Sequence, residues 1–203
     1  MLRKHSTAVL VSPIAKSLPN LKNVDWIGID MGYQLIVKEK KPCLFAIGDF
    51  DSGQLEEPLP FPIERHPVAK DETDSELAIA KAKEMGYDTI ILWGALSGRL
   101  DHTLANLRCI TWQYPSVMAM DEMHRVCCLL PGKYTMDDQY AHISFFAMEP
   151  SIISLIDFDY PLDHRRIDQK DFYTCSNSIS NAGKTGTVVL YEGRVICVET
   201  NCR

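Results

Sequence analysis

"TIILWGALSGRLDHTLANL", residues 89–107, changes its period halfway along. "TIILWG" (89–94) is a short apolar run that reads as a buried strand. From Ser97 onward, "SGRLDHTLANLRCITW" (97–112) places Leu100, Leu104 and Leu107 at helical spacing. A strand followed at once by a helix is the unit from which parallel sheets are built. The same alternation recurs on both sides. "TAVLVS" (7–12), "DWIGID" (25–30), "CLFAIGD" (43–49) and "SVMAMD" (116–121) read as strands, with a short helix possible after Met31-Gly32. Pro58, Pro60, Pro62 and Pro67 mark a loop. Then "KDETDSELAIAKAKEMG" (70–86) reads as a helix. Thr73 and Glu76 make a capping box with Thr73 as N-cap, and Gly86 is placed to stop it. Residues 1–122 are therefore expected to form an α/β domain with a mostly parallel sheet.

The pattern then changes. "RVCCLL", "HISFFAM", "SIISLID", "FYTCSN" and "GTVVLYEGRVICVET" are short β-rich runs between turn signals. Residues 123–203 are expected to form a smaller antiparallel β-sandwich domain, with Glu192-Gly193 as a tight hairpin turn.

Composition limits the function classes. With 46% apolar residues, the 203-residue chain can bury a real core. A net charge of −6 argues against a nucleic-acid partner, which needs a basic face. The seven cysteines include no Cys-x-x-Cys pair, so they read as reduced thiols packed as small hydrophobes. No apolar run approaches membrane-spanning length. Pro13 and Lys16 break the first apolar run too early for a signal-peptide core, so the cytoplasm is the expected location.

Ligands of open parallel sheets bind beyond the carboxyl ends of the strands. Asp30 closes one strand, Asp49 and Asp51 follow the next, and Arg99, Asp101 and His102 follow a third. Asp74 sits in the first turn of its helix, and His102 and Asn106 share a helix face. Each has a plain alternative: a turn for "GDFDS", dipole pairing for Asp74, an N-cap for Asp101, a surface role for Lys70. Together on one sheet edge they point to a site. Carboxylates without clustered His or Cys suit a hard cation, Mg²⁺ above all. Lys70 and Arg99 suit the remaining charge of phosphates. That combination points to group transfer from a nucleotide. No P-loop motif is present, and "NAGKTGT" (181–187), which precedes a strand in the β domain, reads as a turn.

At these residues the sequence resembles the thiamine pyrophosphokinase family. The resemblance rests on "IDMG" (29–32), "IGDFDS" (47–52), "KDETDSE" (70–76), "GALSGRLDHTLANL" (94–107), "LLPGKY" (129–134), "YPL" (160–162) and "CSN" (175–177), in family order. It implies an α/β catalytic domain followed by a β-sandwich. It implies transfer of the diphosphate of ATP to the hydroxyl of thiamine, giving thiamine diphosphate and AMP. It implies a homodimer, with thiamine between one subunit's catalytic domain and the other's β domain. Carried onto this chain, Asp49, Asp51 and Asp74 match the Mg²⁺ positions. Asp30, Lys70, Thr73, Arg99, Asp101, His102 and Asn106 match positions facing ATP. Ser176 and Asn177 match the pair that holds thiamine. Asp51 or Asp101 is the candidate acceptor of the alcohol proton. Tyr160, Phe172 and Tyr173 are candidate walls for the thiazolium ring, with β-domain core as their competing role. The chain departs from the family pattern at Ser12-Pro13, Ser97, Asp157 and Ser178, where glycine is usual at the first three and an acidic residue at the last. The competing functions are a metal-dependent phosphoester or pyrophosphate hydrolase and a non-catalytic thiamine or nucleotide binder.

Overall fold

The structure is a computed structural model that describes residues 3–51, 53, 58–180 and 183–201. Ser52 of "GDFDS" and Asn181 and Ala182 of "NAGKTGT" lie outside the described residues. The chain divides into two compact units, residues 1–122 and 123–203.

The first unit contains β1 (Thr7–Val11), β2 (Val24–Ile29), α1 (Tyr33–Lys38), β3 (Cys43–Gly48), β4 (Ile63–Arg65), α2 (Asp74–Glu84), β5 (Thr89–Trp93), α3 (Leu100–Arg108) and β6 (Val117–Met120). Its strands lie in the order β4-β3-β2-β1-β5-β6, and every neighbouring pair is parallel. Val9, Leu10 and Val11 are fully buried, as expected where helices cover both faces of a sheet. Ile36 of α1 packs on Val9, Trp26, Ile91 and Trp93. Helix α2 buries Ala78, Ile79 and Ala82.

Two expectations for this unit are corrected, the proline-marked loop and the reciprocal capping box. The proline-marked stretch is not all loop, because β4 pairs with β3 through Ala46↔Ile63 and Gly48↔Arg65. An edge strand tolerates prolines at its ends, where Pro62 still offers its carbonyl to Ala46 N at 3.1 Å. The helix read from the leucine spacing is present as α3, and its leucines lie mostly toward solvent. Leu100 is 71% and Leu104 53% exposed, while Asn106 is buried. The helix is turned so that the Asn106 amide reaches Ala95 O at 3.0 Å. Thr73 does cap α2, accepting from Glu76 N at 3.2 Å. The Glu76 carboxylate instead accepts from Gln113 Nε2 at 2.8 Å, across in the π-helical turn Cys109–Gln113 that extends α3.

The second unit contains β7 (His124–Leu129), β8 (Gly132–Asp137), β9 (His142–Ala147), β10 (Ser151–Ile156), β11 (Leu162–Ile167), β12 (Thr185–Glu192) and β13 (Val195–Thr200). Strand β13 pairs antiparallel with β7 and β9. The other sheet runs β11-β10-β12-β8, also antiparallel. Phe145, Ile143 and Cys197 from the first group and Ile153, Val188 and Leu190 from the second share one core, which makes a sandwich.

The Glu192-Gly193 turn does not close a hairpin. Strand β12 pairs with β10 and β8, whereas β13 pairs with β7 and β9, so the turn carries the chain from one sheet to the other. Gly193 has φ +88, and a Cβ there would lie 2.2 Å from Ser151 Oγ. The seat is held by Arg194 N, which donates to Ser151 Oγ at 3.1 Å. Strands β8 and β11 carry too few apolar residues to read as strands alone. "FYTCSN" is not a strand; Asn177 makes only an isolated bridge with Ile143. Tyr160, Phe172 and Tyr173 are 67%, 77% and 50% exposed, so none is core.

Candidate functional site

The loops after β1, β2, β3 and β5 open at the carboxyl edge of the parallel sheet. After β1, Ser12 N donates to Trp93 O at 3.0 Å and Ala15 N to Ser12 O at 3.1 Å, which fixes the Ser12-Pro13 loop. Gly94, at the tip of β5, has φ +75, and a Cβ there would lie 2.5 Å from that of Ala15. The two tips can therefore touch only with glycine at 94. Ser97 has no left-handed backbone; Gly98 takes it instead, with φ +82. Serine at 97 therefore needs no left-handed backbone. Asp157, where glycine is usual, does have φ +64.

These tips and the starts of α2 and α3 enclose a cleft of about 430 Å³. Asp30, Asp49, Asp51, Thr73, Asp74, Arg99, His102 and Asn106 all line it, together with Ser12, Pro13 and Ser97, whereas Lys70 and Asp101 are not among its lining residues. Asp30 begins the 3-10 turn Asp30–Gly32 with left-handed φ +48 and is buried. Phe50, between Asp49 and Asp51, is also left-handed at φ +57. Asp51 N donates to Asp49 Oδ1 at 3.3 Å, closing that turn. Ser12, Pro13 and Ser97 carry no titratable group; only their departure from the family pattern singled them out, and all three line the cleft. The strand-end rule applied to β1 would have placed the first two.

Lys70 organises the carboxylates. Its ammonium donates to Asp49 Oδ2 at 2.8 Å and to Pro67 O at 3.0 Å. It pairs with Asp74 Oδ1 at 3.2 Å, one turn on in sequence. The side chains of Lys70 and Asp49 are each only 11% exposed, so this pairing is shielded from solvent. The hydrogen bond from Lys70 holds Asp49 below the usual carboxylate range. Burial pushes the Asp74 carboxyl up, against the pull of Lys70. Burial works against the Lys70 charge, but its bonds to Asp49 and Asp74 outweigh that and raise it.

Asp101 is not the N-cap of α3; Arg99 holds that position with extended backbone and no capping bond. Instead Arg99 grips Asp101 with two hydrogen bonds, at 2.6 and 3.2 Å. His102 N adds a third at 3.0 Å. The Arg99 bond draws the Asp101 carboxyl down to about 2. Ser176 and Asn177 belong to the second unit. Ser176 is exposed, with φ +59, and its N–H donates to Ser144 Oγ at 2.9 Å. Asn177 is buried. Its amide oxygen accepts from Tyr160 N at 3.0 Å and Ser178 N at 2.9 Å, and its amide nitrogen donates to Tyr160 O at 2.9 Å.

Among the described residues no three His, Cys, Asp or Glu side chains are gathered tightly enough to hold a metal ion as they stand. The donor set still fits a hard divalent cation by its chemistry. Four carboxylates face one cleft, without thiolate or clustered imidazole, and two of them already share one cation, the Lys70 ammonium.

An acidic cleft at the carboxyl edge of a parallel sheet lies where such sheets bind their ligands. The family described as "Thiamin pyrophosphokinase, catalytic domain" matches residues 20–120. The thiamine pyrophosphokinase of Bacillus subtilis is 27% identical, over 86% of this chain and 86% of its own. The crystal structure of the thiamine pyrophosphokinase from Bacillus subtilis superposes with TM-score 0.83 at 26% identity, covering 97% of this chain and all of that one. The thiamin pyrophosphokinase from Geobacillus thermodenitrificans gives the same TM-score at 26% identity, covering 96% and 97%. The chain belongs to the thiamine pyrophosphokinase family and is an enzyme of that kind. Among the described residues, no helix is long and apolar enough to cross a membrane.

Proposed function

We propose that the acidic cleft binds the phosphates of ATP and transfers its terminal diphosphate to the hydroxyl of thiamine. The thiamine oxygen bonds to the β-phosphorus, the bond between that phosphorus and the α,β-bridging oxygen breaks, and AMP leaves. The observation that carries this reading is the Lys70 bridge between Asp49 and Asp74, two carboxylates that line the cleft. It sets a cation against two lining carboxylates and holds them at fixed spacing.

Asp49, Asp51 and Asp74 would hold Mg²⁺, which supplies charge neutralisation at the phosphate oxygens when bound. Arg99, at the lip of the cleft, faces the nucleotide with His102, Thr73 and Asn106. Asp51 takes the alcohol proton in this reading. Asp101 is the poorer base, because three hydrogen bonds occupy its oxygens and its carboxyl lies near 2. A loose transition state with AMP leaving asks little of the base, so positioning and electrostatics dominate. Thiamine sits against the exposed Ser176 turn of a partner subunit in a homodimer, with Asn177 shaping that turn rather than touching the ligand.

The test is whether ATP consumption needs the acceptor. With Mg²⁺ present, consumption that rises from background only on adding thiamine supports transfer. Equal consumption without thiamine makes the chain a hydrolase.

A further inference from the structure

Phe50 stands between the two aspartates of the turn, yet it is 4% exposed and packs with Tyr33 and Ala46. Leu59, Phe61 and Ile63 close around that cluster, and the Arg65 guanidinium lies over the Phe50 ring, 5.5 Å from its centroid. Its backbone is left-handed, at φ +57. That conformation is unfavourable for a non-glycine residue. Glycine would adopt it freely. A large aromatic at such a position therefore has to be held there by its ring.

The turn also fixes a spacing. An extended chain would carry Asp51 about 7 Å past Asp49 along the strand direction. The left-handed residue bends the chain instead, so that Asp51 N reaches Asp49 Oδ1 and both carboxylates line the cleft. Burial of the phenylalanine ring is favourable and works against the backbone cost. The ring is thus the part of the turn with a reason to stay put.

We infer that Phe50 is a positioning residue for the transfer: its buried ring pins the left-handed turn that sets Asp49 and Asp51 together at the cleft. This rests on the reading of the cleft as the Mg²⁺ and ATP site. The inference separates anchoring from backbone permissiveness. Phe50→Gly keeps the turn sterically easy and removes the anchor, whereas Phe50→Leu keeps a smaller anchor.

The experiment is calorimetric binding of α,β-methylene ATP, which cannot be cleaved at the reacting bridge, titrated across Mg²⁺ concentration with no turnover. Circular dichroism confirms folding at the assay temperature. The inference expects the Mg²⁺ midpoint to rise about tenfold or more in Phe50→Gly and about threefold in Phe50→Leu, since small misplacements of binding groups carry penalties of that order. The KM for thiamine stays as in the parent, which a general loosening of the fold would not preserve. A folded Phe50→Gly with the parent midpoint overturns the inference. Should Phe50→Gly not fold, Phe50→Leu decides alone: a raised midpoint supports, the parent midpoint overturns. Asp49→Asn is the control for the underlying reading. If it also keeps the parent midpoint, the cleft is not the metal site; if it loses binding while the Phe50 variants keep it, only the role of Phe50 fails.

Discussion

The Lys70 ammonium lies 2.8 Å from Asp49 Oδ2, and both side chains are nearly closed off from solvent. Asp74 joins the same ammonium from the first turn of α2. Removing the lysine leaves two shielded carboxylates facing each other without a counter-charge. Lys70→Met should lower kcat/KM by about 100-fold or more, in the range seen when one charge-stabilising group is lost. It should also lower thermal stability, because a charge left unpaired away from water is costly. Steady-state kinetics and a melting curve read both. Parent-like kcat/KM would remove Lys70 from the phosphate site.

The pairing of Arg99 with Asp101 has an acid-side signature. The Asp101 carboxyl falls from 3.8 to about 2 in the folded chain. A depressed acid stabilises the fold above its unfolded value and loses that contribution as pH drops through the folded one. The window therefore runs from about pH 4 down to about pH 2. The carboxyl carbon of Asp101, followed by NMR, should titrate near the lower end, and Arg99→Gln should move its midpoint back toward 3.8.

At the opposite edge of the sheet, Tyr87 Oη donates to Asp25 Oδ2 at 2.7 Å. The same oxygen accepts from Lys4 N at 2.7 Å and His5 N at 3.1 Å, which fastens the start of the chain to β2. Burial, and the bond to Asp25, push the Tyr87 hydroxyl up from 10.0. The unfolded chain then ionises first, so stability is whole below pH 10 and falls as pH rises above it. Tyr87→Phe should cost about 1.5–3 kcal/mol at pH 7, the range for a hydrogen bond to a charged group. Urea unfolding between pH 8 and 11 should show a shallower alkaline decline in the variant.

Gly193 sits where the chain passes from one sheet of the sandwich to the other. Its φ of +88 and the 2.2 Å approach to Ser151 Oγ leave no space for a methyl group. Gly193→Ala should destabilise by about 2 kcal/mol or more, combining backbone strain with the clash. Unfolding of the sandwich measured by denaturant reads this, and catalysis at temperatures below the melt should remain.

The parallel half was legible because both of its signals are local. Strands such as 7–11 are apolar throughout, and Thr73 announces the start of α2 with a side-chain bond three residues long. The sandwich was legible as a class but not strand by strand. Strand β11, "LDHRRI", is mostly exposed and has no alternating apolar face to find. The partners of β12 and β13 depend on Gly193 seating against Ser151, a contact far apart in sequence. The leucines of α3 show the same limit: spacing gave a helix but not which side is buried, and Leu100 and Leu104 face out while Asn106 is buried against Ala95 O. The cleft was readable from its charges at strand ends. Its neutral wall at Ser12, Pro13 and Ser97 bears no charge to mark it and stood out only as a departure from the family pattern.

The most direct test of diphosphate transfer is the product ratio. Phosphorus NMR of the purified protein with ATP, Mg²⁺ and thiamine should show AMP and thiamine diphosphate appearing in equal amounts. ADP with thiamine monophosphate, or free phosphate and pyrophosphate without thiamine diphosphate, would contradict it.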